Sequence, residues 1–272
     1  MKLKNRFSLF RNSRPIKLYY YRHKDPLLKN FGDELSKEIV EKLSGRKVAW
    51  ANVNECGMVS IGSVLHYVLQ RKSKNKVVVW GSGLMFDDSS IRYKSKLNKF
   101  HLVRGKLSAK NLNLKINKFG DPGLIVDQLY RPSKNRKKVG IVPHYVDKQN
   151  PITEKISKNK DIKIINVLDS PAEVISEIAA CELIISSSLH GIITAHSFGI
   201  PAYWIEFSDM VAGDGFKFRD YYSIFEKEPL KIEKNVLNNL IKKADDLINR
   251  YEPLATDRLK KDILSSFPKD SL

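Results

Sequence analysis

Short apolar runs alternate with longer amphipathic stretches along this chain. IKLYYY (16–21), KVAW (47–50), VVVW (77–80) and HLV (101–103) read as strands. VGIVP (139–143), IKIINV (162–167), LII (183–185) and AYWI (202–205) form a second set. Between them, DELSKEIVEKL (33–43) and PAEVISEIAA (171–180) place apolar residues at helical spacing. Nearly continuous apolar strands alternating with helices predict an α/β chain whose parallel sheets are covered on both faces. The rhythm breaks at QLYRPSKNRKK (128–138), which is polar, basic and without periodicity. The expected organisation is therefore a Rossmann-like half over 1–128, a linker at 129–138 and a second Rossmann-like half over 139–230. In the remaining tail, 231–272, Val236, Leu237, Leu240, Ile241, Ala244, Leu247 and Ile248 share one helical face. A terminal helix packing back across the junction is expected there.

Composition narrows the class. With 272 residues, 42% of them hydrophobic, the chain can bury a sizeable core. Cys56 and Cys181 lie far apart, without CxxC spacing or histidine company, which argues against a disulfide scaffold or a structural zinc site. No apolar run reaches the length of a membrane span, and the basic start MKLKNRFSLFRNSRP lacks the apolar stretch of a signal peptide. A cytoplasmic protein is expected. Charge is the outlier, with 48 Lys and Arg against 30 Asp and Glu, a net +18. Such a surface attracts polyanions. Basic and aromatic residues do not interleave as they do in RNA-binding sheets, and no zinc-finger spacing appears. An anionic membrane surface is thus a better expected partner than nucleic acid.

The informative residues fall where strands enter helices, the usual ligand-binding end of a doubly wound sheet. NFGDE (30–34) opens a helix, with Asp33 expected as its N-cap. GSG (81–83) follows VVVW, and Arg104–Gly105 follows HLV. GDPG (120–123) is a turn. His144 and Tyr145 end the strand at 139–143, and SSSLHG (186–191) ends LII. Each alone has a bland reading as a cap or a tight turn. Together, Arg104, His144, His190 and the glycine loops are expected to face one interdomain cleft. No phosphate-loop, HExxH, nucleophile-elbow or paired-carboxylate motif competes.

These segments, in this order and joined by SSSLHGIITAHSFGIP (186–201) and GDGFKFRDYY (213–222), resemble the polysaccharide pyruvyl transferases. The resemblance implies two Rossmann-like domains of glycosyltransferase-B type and an active site between them. It also implies phosphoenolpyruvate as co-substrate, with no metal or cofactor. Phosphate and carboxylate call for cations and helix-start amides. Arg104, Lys217, Ser187, Ser188, Leu189, Gly81, Ser82 and Gly83 are the donor-binding candidates, with Arg219 a substitute cation. Proton transfer to the enol carbon favours a group titrating near neutrality, hence His190 as general acid, with Asp33 or His144 taking the sugar proton. Asn30, Gly32, Tyr145 and Arg219 are expected on the acceptor side or one layer behind. His196 is expected to be packing.

Many relatives carry Arg immediately before the Leu-His pair, whereas this chain carries Ser188. The implied acceptor is a lipid-linked oligosaccharide of a bacterial capsule or exopolysaccharide, met at the inner face of the cytoplasmic membrane. A nucleotide-sugar glycosyltransferase, with Glu206 as the only weak ribose-binding candidate, and a non-catalytic polyanion binder are the alternatives.

Overall fold

The structure is a computed structural model that describes residues 14–71, 75–90, 98–132 and 137–272. Part of the expected linker (133–136) and most of the basic start (1–13) lie outside them. The chain divides into two compact units. One comprises 1–122, 215–227 and 257–272; the other comprises 123–214 and 228–256.

The first unit is built on a five-stranded parallel sheet of β1 (Ile16–Tyr19), β2 (Val48–Trp50), β3 (Met58–Val59), β4 (Val77–Trp80) and β5 (Asn98–Leu102), in the order β2-β1-β3-β4-β5. All four residues of β4 are buried, as its unbroken apolar run requires of an interior strand, whereas edge strand β5 is mostly half-buried. Val59, Val77, Val79, Leu84 and Val103 join Leu65 and Val68 of α2 (Leu65–Leu69) in the core. Helix α1 (Phe31–Ser44) follows β1 and ends at Gly45, whose left-handed conformation (φ 65°) turns its N–H back to Glu41 O. Helix α3 (Lys106–Asn111) follows β5.

The second unit holds a four-stranded parallel sheet of β6 (Lys137–Val142), β7 (Ile162–Ile164), β8 (Cys181–Ser186) and β9 (Ala202–Trp204), ordered β7-β6-β8-β9. Helices α4 (Pro151–Ile156), α5 (Pro171–Ile178), α6 (Leu189–Ser197) and α8 (Leu240–Asn249) accompany it. Its core joins Val139, Ile141, Leu183 and Ile185 to Leu237, Leu240 and Ala244. Ser170 and Glu173 close a capping box over α5, with Pro171 in the first helical position.

The structure adds one strand and corrects two expectations. Strand β3 escaped notice because only Met58 and Val59 extend it, yet it pairs with both β1 and β4. The first unit ends at Pro122 rather than near 128, because 122–128 winds into a 3-10 turn that opens the second unit. The chain after 214 also re-enters the first unit twice. Helix α7 (Phe216–Tyr222) lies against α3, and α9 (Asp257–Ser265) brings Ile263 O and Ser266 Oγ within 3.3 and 3.1 Å of Trp80 Nε1. The tail is therefore two helices, α8 in the second unit and α9 in the first, and 234–239 begins it as a 3-10 turn.

Candidate functional site

In each sheet the strand order reverses about its first strand, between β1 and β3 and between β6 and β8. A crevice opens at such a switch point beyond the carboxyl ends of the strands. The predicted residues divide between these two places and a third cluster beyond β4 and β5.

At the first switch point α1 begins. Its N-cap is Asn30, not Asp33. The Asn30 Oδ1 accepts from Gly32 N at 2.9 Å, and the expected cap residue sits in the first turn. Relieved of capping, the half-buried Asp33 carboxylate lies beside the loop after β3, with Oδ1 3.5 Å from where a side chain on Gly62 would begin. Tyr19 and Tyr67 are its neighbours. Burial, then Tyr67 and Asp33, hold the Tyr19 hydroxyl well above its ordinary value, and burial together with Tyr21 and Asp33 raises Tyr67.

Beyond β4 and β5 the donor-binding candidates Gly81, Ser82, Gly83 and Arg104 pack among the protein's own groups. Arg104 is fully buried. Its Nε donates to Asp220 Oδ2 at 2.9 Å, one terminal nitrogen to Ser63 Oγ and the other to Leu84 O at 2.6 Å. Asp220 also accepts from Ser108 N and Ser108 Oγ, both at 2.7 Å. The glycines serve this packing. A Cβ on Gly83 would stand 2.5 Å from the guanidinium carbon, and one on Gly81 (φ 95°) 2.1 Å from Pro122. The Ser82 hydroxyl donates to Gly62 O at 2.7 Å. Lys217 is nearly buried in α7 with Nζ 5.7 Å from the Phe218 ring, and Arg219 is half-buried.

At the second switch point the serine row after β8 meets the segment that follows β6. His144 N donates to Ser187 Oγ at 2.8 Å, and Ser187 Oγ donates to the buried Asp147 at 2.7 Å. Ser208 donates to the other Asp147 oxygen. His144 caps the 3-10 turn at 145–147 through Nδ1, and its ring lies 4.4 Å from that of Tyr145. Ser186 Oγ accepts from Ser188 N at 2.9 Å and presses on Gly191, where a Cβ would approach it to 2.5 Å. Ser188 is the N-cap of α6 but makes no side-chain cap bond. Leu189 is the first helical residue, and the half-buried His190 is the second. His196, one helical face away, is buried, and burial pushes its pKa down to about 3.

The structure thus brings His144, Tyr145, Ser187, Ser188, Leu189 and His190 to one strand-end cluster, and Asn30, Gly32 and Asp33 to another. Gly81, Ser82, Gly83 and Arg104 pack internally. Sequence reasoning missed Asp147, three residues beyond His144, and Asp220, which stands inside the GDGFKFRDYY stretch beside the two cations singled out there. A charged residue's partner, rather than its presence, was the absent signal. Cys56 and Cys181 are buried, with burial raising their pKa values to about 11 and about 12, so neither is poised as a thiolate. Glu206, the ribose-binding candidate, pairs with Lys231 at 2.7 Å. Among the described residues no helix is long and apolar enough to cross a membrane, and no group of three or more His, Cys, Asp or Glu is placed to hold a metal.

A family model described as polysaccharide pyruvyl transferase matches residues 2–209. An uncharacterized protein, L143, of Acanthamoeba polyphaga mimivirus is 32% identical over 78% of this chain and 77% of its own length. The succinoglycan biosynthesis protein ExoV of Rhizobium meliloti is 28% identical over 71% of this chain and 60% of its own. Among solved structures, an alpha1,3-fucosyltransferase aligns over 93% of this chain and 82% of its own at 11% identity, with a TM-score of 0.28, too low to inform fold or function.

Proposed function

Because the chain belongs to the polysaccharide pyruvyl transferase family, we propose that it moves the pyruvyl group of phosphoenolpyruvate onto two hydroxyls of one hexose, forming a ketal and releasing phosphate. The acceptor in this reading is a repeat unit of a capsule or exopolysaccharide, carried on lipid. The supporting observation is that the family match spans both switch points and includes Asp33, His144 and His190.

His190 gives a proton to the enol methylene carbon, leaving an oxocarbenium-like centre at C2. One sugar hydroxyl adds there, its proton passing to Asp33 or His144. The C2–phosphate bond breaks, the second hydroxyl closes the ring, and of the two hydroxyl protons one ends on the new methyl group and the other leaves with phosphate. The first turn of α6, preceded by Ser187 and Ser188, offers helix-start amides to an anion. With Arg104 committed to Asp220, the cationic share of donor binding falls to Lys217 or Arg219 of α7. In this reading the two units are Rossmann-like domains of glycosyltransferase-B type.

The test is phosphate release from phosphoenolpyruvate in the presence of lipid-linked glycans, with mass spectrometry of the glycan. Acceptor-dependent phosphate release with a ketal on the sugar supports the reading. Transfer from a nucleotide sugar in its place overturns it.

A further inference from the structure

Five aromatic rings run in an unbroken chain across the carboxyl end of the first unit's sheet. Trp50 closes β2 and Tyr19 closes β1, with ring centres 6.5 Å apart; Tyr67 of α2 stands edge-on to Tyr19 at 6.3 Å. His66 lies 3.8 Å from Tyr67, and Phe86, in the loop after β4, stands edge-on to His66 at 6.1 Å. Trp50, Tyr67 and Phe86 expose 40, 39 and 49% of their surface, an unusual outlay of large apolar side chains for one small area. Trp50 is held in place by Nε1 donating to Tyr20 O at 3.1 Å, with the Arg22 guanidinium 5.1 Å from its ring centre. The Asp33 carboxylate, in the first turn of α1 beside Gly62 of the loop after β3, also acts electrostatically on both Tyr19 and Tyr67.

We propose that this belt is the platform on which the acceptor sugar lies, its ring stacked on Tyr67 and Phe86 and its hydroxyl edge turned to Asp33. The inference rests on the pyruvyl-transfer reading above and deepens it. A pyranose presents a face of C–H bonds whose partly positive hydrogens suit the negative face of an aromatic ring, and an edge of hydroxyl donors that suit a carboxylate. The platform also chooses between the two acceptor-side bases, favouring Asp33 over His144.

Saturation-transfer NMR on the full chain, with methyl β-D-glucopyranoside and methyl α-D-galactopyranoside as probes and no phosphoenolpyruvate present, tests the platform separately from the reaction. Wild type transfers saturation to the C–H face of at least one pyranoside. Tyr67→Ala and Phe86→Ala, both at exposed positions, each weaken that binding at least five-fold with melting temperatures within a few degrees of wild type. Their affinity for phosphoenolpyruvate changes less than two-fold. No saturation transfer in wild type, or equal binding in the variants, overturns the platform even where phosphoenolpyruvate is consumed. Loss of anionic-vesicle binding or of a dimer in the variants, with pyranoside binding intact, likewise overturns it. Pyranoside binding that the variants lose supports it even where phosphoenolpyruvate proves not to be the donor.

Discussion

Two histidines on α6 show how far a residue's chemistry depends on its neighbours. His190 stands half-buried at the helix start, between the serine row and the switch point, whereas His196 is enclosed six residues later. Replacing His190 with Ala is expected to abolish phosphate release while moving the melting temperature by no more than a few degrees; a variant that fails to fold would return His190 to a packing role. His196 carries a different prediction. Its pKa of about 3 lies below the roughly 6.5 of an unfolded histidine, so between those values the unfolded chain binds a proton that the folded chain refuses. Stability therefore falls as pH drops through that window and is insensitive to this group above it. At pH 5 the loss attributable to His196 is about 2 kcal/mol relative to pH 7. Urea melts at both pH values should show His196→Phe losing less on acidification than wild type, and an equal loss would contradict it. The separate fates of these histidines were legible in the sequence, because their spacing puts them on different helical faces. That Asn30 rather than Asp33 caps α1 was not, since both residue types accept from first-turn amides and only the helix start decides between them.

Among the elements, α7 is held to the first unit by a charge pair that the sequence displayed without its pairing. Arg104 and Asp220 are fully buried and 116 positions apart; Arg104 also donates to Ser63 and Leu84, and Asp220 also accepts from Ser108. Removing one member of such a pair strands the other charge away from water, which typically costs about 3–5 kcal/mol. Asp220→Ala and Arg104→Ala should each lower the urea midpoint accordingly; a loss of donor affinity with unchanged stability would return Arg104 to the open site that the strand-end pattern suggested. Gly105 reports on the same contact. Any side chain there meets the Asp220 carbonyl oxygen at 1.8 Å, so Gly105→Ala should displace α7 and destabilise the unit comparably. The GSG and Arg-Gly signals were real signs of close approach. What approaches is the protein's own backbone and guanidinium, a distinction that needs the fold, because a glycine that admits a ligand and one that admits a helix look alike in sequence.

On the scale of the whole molecule, the alternation of strands and helices was readable and the division of the chain was not. The parallel sheets follow from apolar runs such as VVVW, whose every residue is buried. The returns of 215–227 and 257–272 to the first unit depend on Asp220 meeting Arg104 and on Trp80 meeting Ser266, pairings between residues more than 100 positions apart. The net charge of +18 belongs to this scale as well. If it serves a lipid-linked acceptor, the full chain should sediment with vesicles containing phosphatidylserine at low ionic strength and be released as salt shortens the screening length to about 3 Å near 1 M. Binding that ignores salt would detach the charge from that role.

The central claim, pyruvyl transfer from phosphoenolpyruvate, is tested most directly by following phosphate release with and without a lipid-linked glycan, for wild type and for His190→Ala. The expected result is release that requires the glycan, leaves a pyruvate ketal on it and vanishes in the variant. Release that proceeds unchanged in His190→Ala, or no consumption of phosphoenolpyruvate beside transfer from a nucleotide sugar, would contradict it.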